Sequence, residues 1–278
     1  MELDFRKQRE VEHSNQRRRI VTGYEYQTDS SKSLLIDDFI EDHEEFQKHF
    51  SNMKFYSITS SSFAHRDKLL YSDIQDKLVL DYCCGNGEIA IEIAKRGATK
   101  VVGIDISKVA IENASKLAYA NGKRGRCEFQ VMDAEETEFG DNTFDIIHEY
   151  GALHHLDLEA ALRELSRILK SDGKVVCTEA LRHNPFFHYY RKKTPHLRTK
   201  WEAEHILGVP EIMRGLKYFK EVYIRFFHLA AISAVPFRKT RIFHRLLSFL
   251  DAVDSIWLRI PYLQRMAWIA VFVYSSPK

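Results

Sequence analysis

The rhythm of apolar residues changes near Lys77. Upstream, stretches such as Leu34–Phe50 space apolar side chains three and four apart, with no glycine-rich turn between them, which predicts helices behind a mobile start. Downstream, short runs rich in Val and Ile alternate with amphipathic stretches, the pattern of βαβ units around a parallel sheet. Lys77–Tyr82 reads as a first strand, followed by a turn through Gly85 and Gly87 and a helix from Glu88 that stops at Gly97. Lys100–Asp105 is a second strand, and Ser107 can cap a helix that ends at Asn121–Gly122. Cys127–Met132 and Phe144–Tyr150 follow as strands, and Asp157 can cap a helix over Leu158–Lys170 whose leucines recur every three or four residues. Asp172–Gly173 then turns into a fifth strand, Lys174–Ala180. Two more strands are expected at Glu221–Leu229 and Trp268–Ser275, with an apolar-striped helix over Ile242–Ile260 between them.

The expected organisation is an N-terminal helical segment over 1–75 and one α/β domain over 76–278, with insertions at about 181–208 and 230–262. With 278 residues and 45% hydrophobic content, the chain can bury a full core. A net charge of +2 creates no large field of one sign, so nucleic-acid binding gains no support. Four cysteines, Cys83, Cys84, Cys127 and Cys177, lack the paired spacing of a metal site or a disulfide framework and read as reduced thiols. The N-terminus has no apolar core of a signal peptide, and no apolar run reaches the roughly 18 to 20 residues that span a bilayer. A cytoplasmic protein is expected, with peripheral membrane contact left open by the apolar C-terminal third. Ile242–Ile260 and Trp268–Tyr274 read as core and lid ahead of membrane contact. Nothing in the sequence marks an oligomeric state.

Chemistry concentrates at the carboxyl ends of the predicted strands, where open parallel sheets bind ligands. Asp81, Asp105, Asp133, Glu149 and Tyr150 stand there. Gly85 and Gly87 let backbone approach a ligand with no Cβ in the way, and the helix after them offers free N–H groups. Asp105 can accept both hydroxyl protons of a ribose, and Asp133 with Ala134 can present a carboxylate and an N–H to an adenine edge. The pattern Gly85-x-Gly87-x-x-Ala90 also fits a dinucleotide fingerprint, so a nicotinamide-dependent oxidoreductase is one alternative. Two features oppose it: an acid, Asp81, precedes the glycines by four residues, and the acids and histidines further on stay unexplained.

Five segments in order, Val79–Gly87, Val101–Ser107, Val131–Glu136, Asn142–Leu156 and Leu162–Val176, resemble the class I S-adenosylmethionine-dependent methyltransferases, in particular the small-molecule enzymes of the methyltransferase type 11 group. The resemblance implies a Rossmann-like seven-stranded sheet, mostly parallel with an antiparallel last strand, helices on both faces, and a lid built from the N-terminal helices and the insertions. It implies S-adenosylmethionine as cofactor, with Asp81, Gly85 and Gly87 at its methionine end and Asp105 on the ribose. Ile106 would lie on the adenine face, Asp133 and Ala134 on its edge, Glu149 and Tyr150 beside the sulfonium, and Tyr56 within reach. Tyr82-Cys83-Cys84 departs from the small or acidic residues common before the family's glycines. The two cysteines read as compact side chains packed under the loop, pointing apart. A non-catalytic member that keeps the fold as a binding module is the second alternative.

The acceptor is expected to be a small, partly apolar molecule, methylated on oxygen or carbon ahead of nitrogen. Methyl transfer from a sulfonium is an in-line displacement, so positioning carries much of the catalysis and a base serves only acceptors that must lose a proton. His154 and His155 just before the helix that follows the fourth strand, Glu179 at the end of the fifth strand and His183 soon after it are the candidate bases. Phe186, Phe187, Tyr189 and Tyr190 could wall an apolar pocket, and Arg191, Lys192, Lys193, Arg198 and Lys200 could hold an anionic group; a solvated basic loop packed by its aromatics is the alternative. No metal site is expected, since Glu149 stands largely alone among candidate ligands. The fourth-strand turn His148–Leu156 lacks the Asn/Asp-Pro-Pro-aromatic sequence typical of enzymes that methylate nucleic-acid bases.

Overall fold

A computed structural model describes residues 4–25 and 50–278, without the side chains of residues 20–25. The helix expected over Leu34–Phe50 lies outside the described residues except for Phe50. Seven strands form one sheet in the order β3-β2-β1-β4-β5-β7-β6. They are β1 Leu78–Tyr82, β2 Lys100–Asp105, β3 Cys127–Val131, β4 Phe144–Tyr150, β5 Leu169–Ala180, β6 Phe219–Phe227 and β7 Ile269–Pro277. β1 through β5 pair in parallel, and β7 runs antiparallel between β5 and β6. The Rossmann-like sheet with an antiparallel last strand is therefore present.

The described helices are α1 Phe5–Glu25, α2 Ser60–Tyr71, α3 Glu88–Lys95, α4 Lys108–Ala120, α5 Leu158–Ile168, α6 Pro185–Lys193, α7 Lys200–His205, α8 Val209–Met213, α9 Phe243–Trp257 and α10 Pro261–Gln264. Their ends follow the local chemistry. Ser107 and Asp157 accept hydrogen bonds from the N–H groups of Ala110 and Ala160, capping α4 and α5. Gly97 and Gly122 end α3 and α4 in the left-handed region.

Alternating strand residues face the two layers of helices. Val79, Val101, Ile146 and Val176 pack with Ile91, Ile93 and Leu70 on one side of the sheet. Leu80, Ile104, Ile147 and Val175 pack with Leu162, Leu165 and Ile168 of α5 on the other. A third cluster joins Phe55, Phe187, Phe243, Leu247 and Trp268, tying both insertions to the 3-10 helix Met53–Ile58.

The fifth strand differs from expectation. It starts at Leu169, directly after α5, and the turn expected at Asp172–Gly173 is a bulge inside it. Leu169 pairs with Phe144 and Lys174 with Ile146, so Lys170–Gly173 loop out opposite Asp145. A Cβ on Gly173 would lie 2.8 Å from the Asp145 carbonyl, which explains the glycine.

Candidate functional site

A cavity of about 460 Å³ opens beyond the carboxyl ends of β1, β2, β4 and β5, covered by α1 and the insertion. Its first end is made of acids held by backbone. Asp105 accepts from the N–H groups of Gly85 (3.0 Å) and Ser107 (2.8 Å). Asp133 accepts from Glu135 N at 2.9 Å, and Tyr82 Oη donates to the Ala134 carbonyl. Ile106 and Ala134 line the wall between the two acids. Gly85 and Gly87 have φ of +60° and +82°; a Cβ on Gly87 would lie 2.8 Å from that of Ala114.

Asp81 and Glu149 are buried beneath the cavity. Asp81 Oδ1 lies 2.8 Å from His148 Nδ1. Glu149 Oε1 accepts from Ala152 N (2.6 Å) and Leu153 N (3.3 Å), which fixes the turn carrying the histidine pair. Burial, reinforced by the charge of Glu179, pushes the Glu149 carboxyl far above the usual range.

The second end of the cavity draws on separate elements. Tyr56 comes from the 3-10 helix Met53–Ile58, Tyr150 from β4, His154 and His155 from the turn after it, Glu179 from β5 and Trp268 from the residue just before β7. His154 Nδ1 lies 2.7 Å from Glu179 Oε2. Burial, then the neighbouring His155, pushes the His154 pKa down to about 3, and burial pushes Glu179 up to about 7. His154 is thus neutral, with Nε2 directed away from its carboxylate partner. His155 is held differently: burial opposes its protonation, but Glu10 at 2.8 Å raises its pKa.

His154, His155 and Glu202 bring three ligand-type atoms within 4.8 Å of one another. Glu202 is already engaged, with Arg198 Nε 3.3 Å from its Oε1. Arg17 and Arg191 share that environment: burial lowers the Arg17 pKa, and burial with the charge of Arg198 pushes Arg191 down to about 10. Arg17, Arg191 and Arg198 thus share this region with the carboxylates of Glu10, Glu179 and Glu202, and Glu202 is engaged by a guanidinium rather than left open to a cation.

Nine of the residues expected at the site line this cavity: Tyr56, Asp105, Ile106, Asp133, Ala134, Tyr150, His154, His155 and Glu179. Asp81, Gly85, Gly87 and Glu149 lie directly under or beside it. His183 is brought elsewhere; it is exposed, against Gly208 on the far side of the insertion. The aromatic insertion residues also divide differently. Phe187 stacks on Trp268 in the core at 4.4 Å, while Phe186 and Tyr189 are exposed and wall no part of the cavity. Of the basic set, Arg191 and Arg198 turn inward and Lys192, Lys193 and Lys200 face solvent. The two cysteines do point apart, but only Cys84 packs under the loop, against Gly103. Cys83, at φ +58°, lines the cavity.

Residues on α1 carry contacts the sequence pattern does not announce. Lys7 Nζ reaches Asp133 (2.5 Å) and Glu135 (2.9 Å), Arg6 reaches Glu135 at 2.7 Å, and Arg18 lies 3.6 Å from Asp105. α1 is polar on most of its surface, so ion pairs and the Ser107–Asn15 hydrogen bond hold it where an apolar stripe is lacking. The only signal in the sequence was a run of mixed charge at the N-terminus.

Residues 79–173 match the family described as a methyltransferase domain. Over 104 residues the chain is 35% identical to the 27-O-demethylrifamycin SV methyltransferase of Amycolatopsis mediterranei, covering 37% of this chain and 38% of that one. It is 35% identical over 104 residues to the ubiquinone/menaquinone biosynthesis C-methyltransferase UbiE of Geotalea daltonii, covering 36% and 44%. The chain spans about two fifths of the length of each of these relatives. Among solved structures, phosphoethanolamine N-methyltransferase 2 of Haemonchus contortus superposes with a TM-score of 0.58 at 18% identity, covering 87% of this chain and 60% of that one. The likeness to that structure is one of fold, while the family match falls on the segment that carries Asp105, Asp133, Glu149 and the histidine pair. Residues 79–173 are thus similar to methyltransferase domains, and the similarity in sequence rests on that part of the chain.

Proposed function

We propose that the chain transfers a methyl group from S-adenosylmethionine to a small, partly apolar, anionic acceptor, on oxygen or carbon ahead of nitrogen. The carrying observation is the division of one cavity into two ends of opposite character, strand-end acids at one and a histidine–carboxylate pair beside guanidiniums at the other. Relatives whose names specify O-, C- and N-methylation share the domain, so the acceptor end must set the chemistry.

The residues present fit the cofactor. Asp105 would hold the ribose, and Asp133 with Ala134 the adenine edge, with Ile106 against the ring. Gly85 and Gly87 leave bare backbone at the methionine end, above Asp81. Thr178 Oγ1 and Glu179 Oε1 are buried at the cavity wall without hydrogen-bond partners, and unpartnered oxygens suit a cationic sulfonium. When bound, the cofactor supplies an electrophilic methyl group.

The chain's own contribution is placement and proton handling. Tyr56 and Tyr150 stay neutral because burial pushes both phenols up, so they can hydrogen-bond an acceptor without adding charge. Arg17 lines the same wall and would anchor an anionic group. His154 Nε2 would take the acceptor proton, while Glu179 orients the ring through Nδ1 and stabilises the imidazolium. The covering helix and insertion limit water.

Ligand-dependent thermal stability tests the reading. S-adenosylhomocysteine should stabilise the protein by about 2.7 kcal/mol at a hundredfold excess over its Kd, and NADH should not. Stabilisation by NADH alone would sink it.

A further inference from the structure

The outer face of α9 and the turn beyond it are apolar and exposed. α9 turns Phe243, Leu247 and Asp254 inward, where Asp254 accepts the N–H groups of Leu229, Ala230 and Ala231. On the opposite side Ile242, Phe249 and Ile256 recur every seven residues and form one stripe. Phe249 is 65% exposed and Ile256 64%; Trp257 at the last position of the helix, and Ile260 and Tyr262 beyond it, are exposed too, Tyr262 by 75%. A buried aliphatic or aromatic side chain gains roughly 1.5 to 3 kcal/mol, so leaving several large ones in water marks a surface made to be covered.

The charge around this patch is one-sided. Between Phe237 and Arg265 the chain carries six Arg or Lys and two acids. Neither acid offsets the rim, because Asp254 is buried in its cap and Asp251 is partly buried, accepting from Ser61. Arg241, Arg245 and Arg259 fall on one edge of the apolar stripe, are exposed, and make no ion pair among the described residues. Apolar stripe, aromatic ends and a basic edge together describe a helix that lies in a lipid interface, its arginine stems along the acyl boundary and their heads among anionic groups.

We propose that this face docks the protein on an anionic lipid bilayer. A second copy of the chain would bring arginine against arginine around a two-fold axis, whereas a negatively charged lipid surface complements the whole rim. Docking here also bears on the cavity. The cluster packed under α9 includes Trp268 and Ile269, which line the cavity wall, so one hydrophobic cluster connects the docked face with the acceptor end. This inference stands apart from the proposed chemistry; a protein of this shape would dock whatever its acceptor.

Co-sedimentation of the whole protein with phosphatidylcholine vesicles, with and without 40% phosphatidylglycerol, tests it. The protein should pellet with the anionic vesicles and stay in solution with the neutral ones. F249S/I256S should abolish pelleting, and R245Q/R259Q should weaken it about thirtyfold, the loss of two interfacial cations. Both pairs are exposed, so the stabilisation by S-adenosylhomocysteine should be unchanged and would report an intact fold. Solution behaviour with both vesicle types overturns the proposal, as does pelleting that ignores all four substitutions. A concentration-dependent dimer in sedimentation velocity that F249S/I256S dissolves would assign the face to a second copy instead.

Discussion

The two ends of the cavity are built by different rules. At the acid end, Asp105, Asp133 and Glu149 lie at or near strand ends and are held by backbone N–H groups within four residues, or by the adjacent glycine loop. Ser107 N and Gly85 N hold Asp105, Glu135 N holds Asp133, and Ala152 N and Leu153 N hold Glu149. At the other end, each group is placed by a partner far along the chain: His154 by Glu179, His155 by Glu10, and Arg17 beside the Leu197 carbonyl. A site of the first kind is encoded locally and tolerates little change. A site of the second kind depends on how insertions fold over the sheet and can be rebuilt for another acceptor without disturbing the first.

The sharpest way to break this contrast is to remove one member from each pair. Asp105→Ala takes away a buried carboxylate that also holds the Gly85 amide, and should weaken S-adenosylhomocysteine binding about a hundredfold, near 3 kcal/mol for a charged hydrogen-bonded group. His154→Ala should lower kcat by about a hundredfold or more at unchanged cofactor affinity, the usual range for a lost general base. Calorimetry and single-turnover rates read these separately. If His154→Ala weakened the cofactor as much as Asp105→Ala, the two ends would not be separable.

The pH profile sharpens the same point. Glu179 takes up its proton near pH 7, pushed up by burial, and in the proposed mechanism its charged carboxylate is the form that orients and supports His154 as a base. Turnover should therefore rise as pH increases through about 7 and level off above it. Glu179→Gln cannot ionise, so that rise should disappear along with most of the rate. A wild-type profile flat between pH 6 and 8 would show that the acceptor needs no base.

These expectations also mark how far the sequence could be read. Five strands and their caps followed from alternation and from Ser107, Asp157, Gly97 and Gly122, because each signal acts over a few residues. The bulge at Lys170–Gly173 escaped because an Asp–Gly pair reads as a turn whether it ends a strand or interrupts one. His183, like His154, follows the end of a predicted strand, but the path of the insertion sets it against Gly208 and away from the cavity. The cations of α1 were illegible for the opposite reason. Lys7 and Arg18 sit in a polar helix whose docking depends on acids about 126 and 87 residues away, and no periodicity reports such a pairing.

A smaller effect should follow from Arg17→Gln. Arg17 lines the cavity and does not touch the histidine pair, so its loss removes binding that an anionic acceptor keeps through the reaction. The KM for such an acceptor should rise about tenfold with kcat within a factor of two, the signature of uniform binding lost. A fall in kcat at constant KM would move Arg17 from holding the acceptor to assisting the transfer.

Cys83 gives the smallest expected change and the finest test of the boundary between the two ends. It lines the cavity from the glycine loop, yet burial, and then the charge of Asp105, push its thiol far above the usual range. A protonated thiol is a poor nucleophile, so Cys83 should resist iodoacetamide at pH 8 in spite of its position. The left-handed backbone at this residue, φ +58°, is set by the loop and does not depend on sulfur. Cys83→Ala should then change S-adenosylhomocysteine affinity by less than about threefold, within the scatter of a small packing change. A tenfold loss would mean that the sulfur itself touches the cofactor, and that the locally encoded end extends one residue further into the loop than its hydrogen bonds reveal.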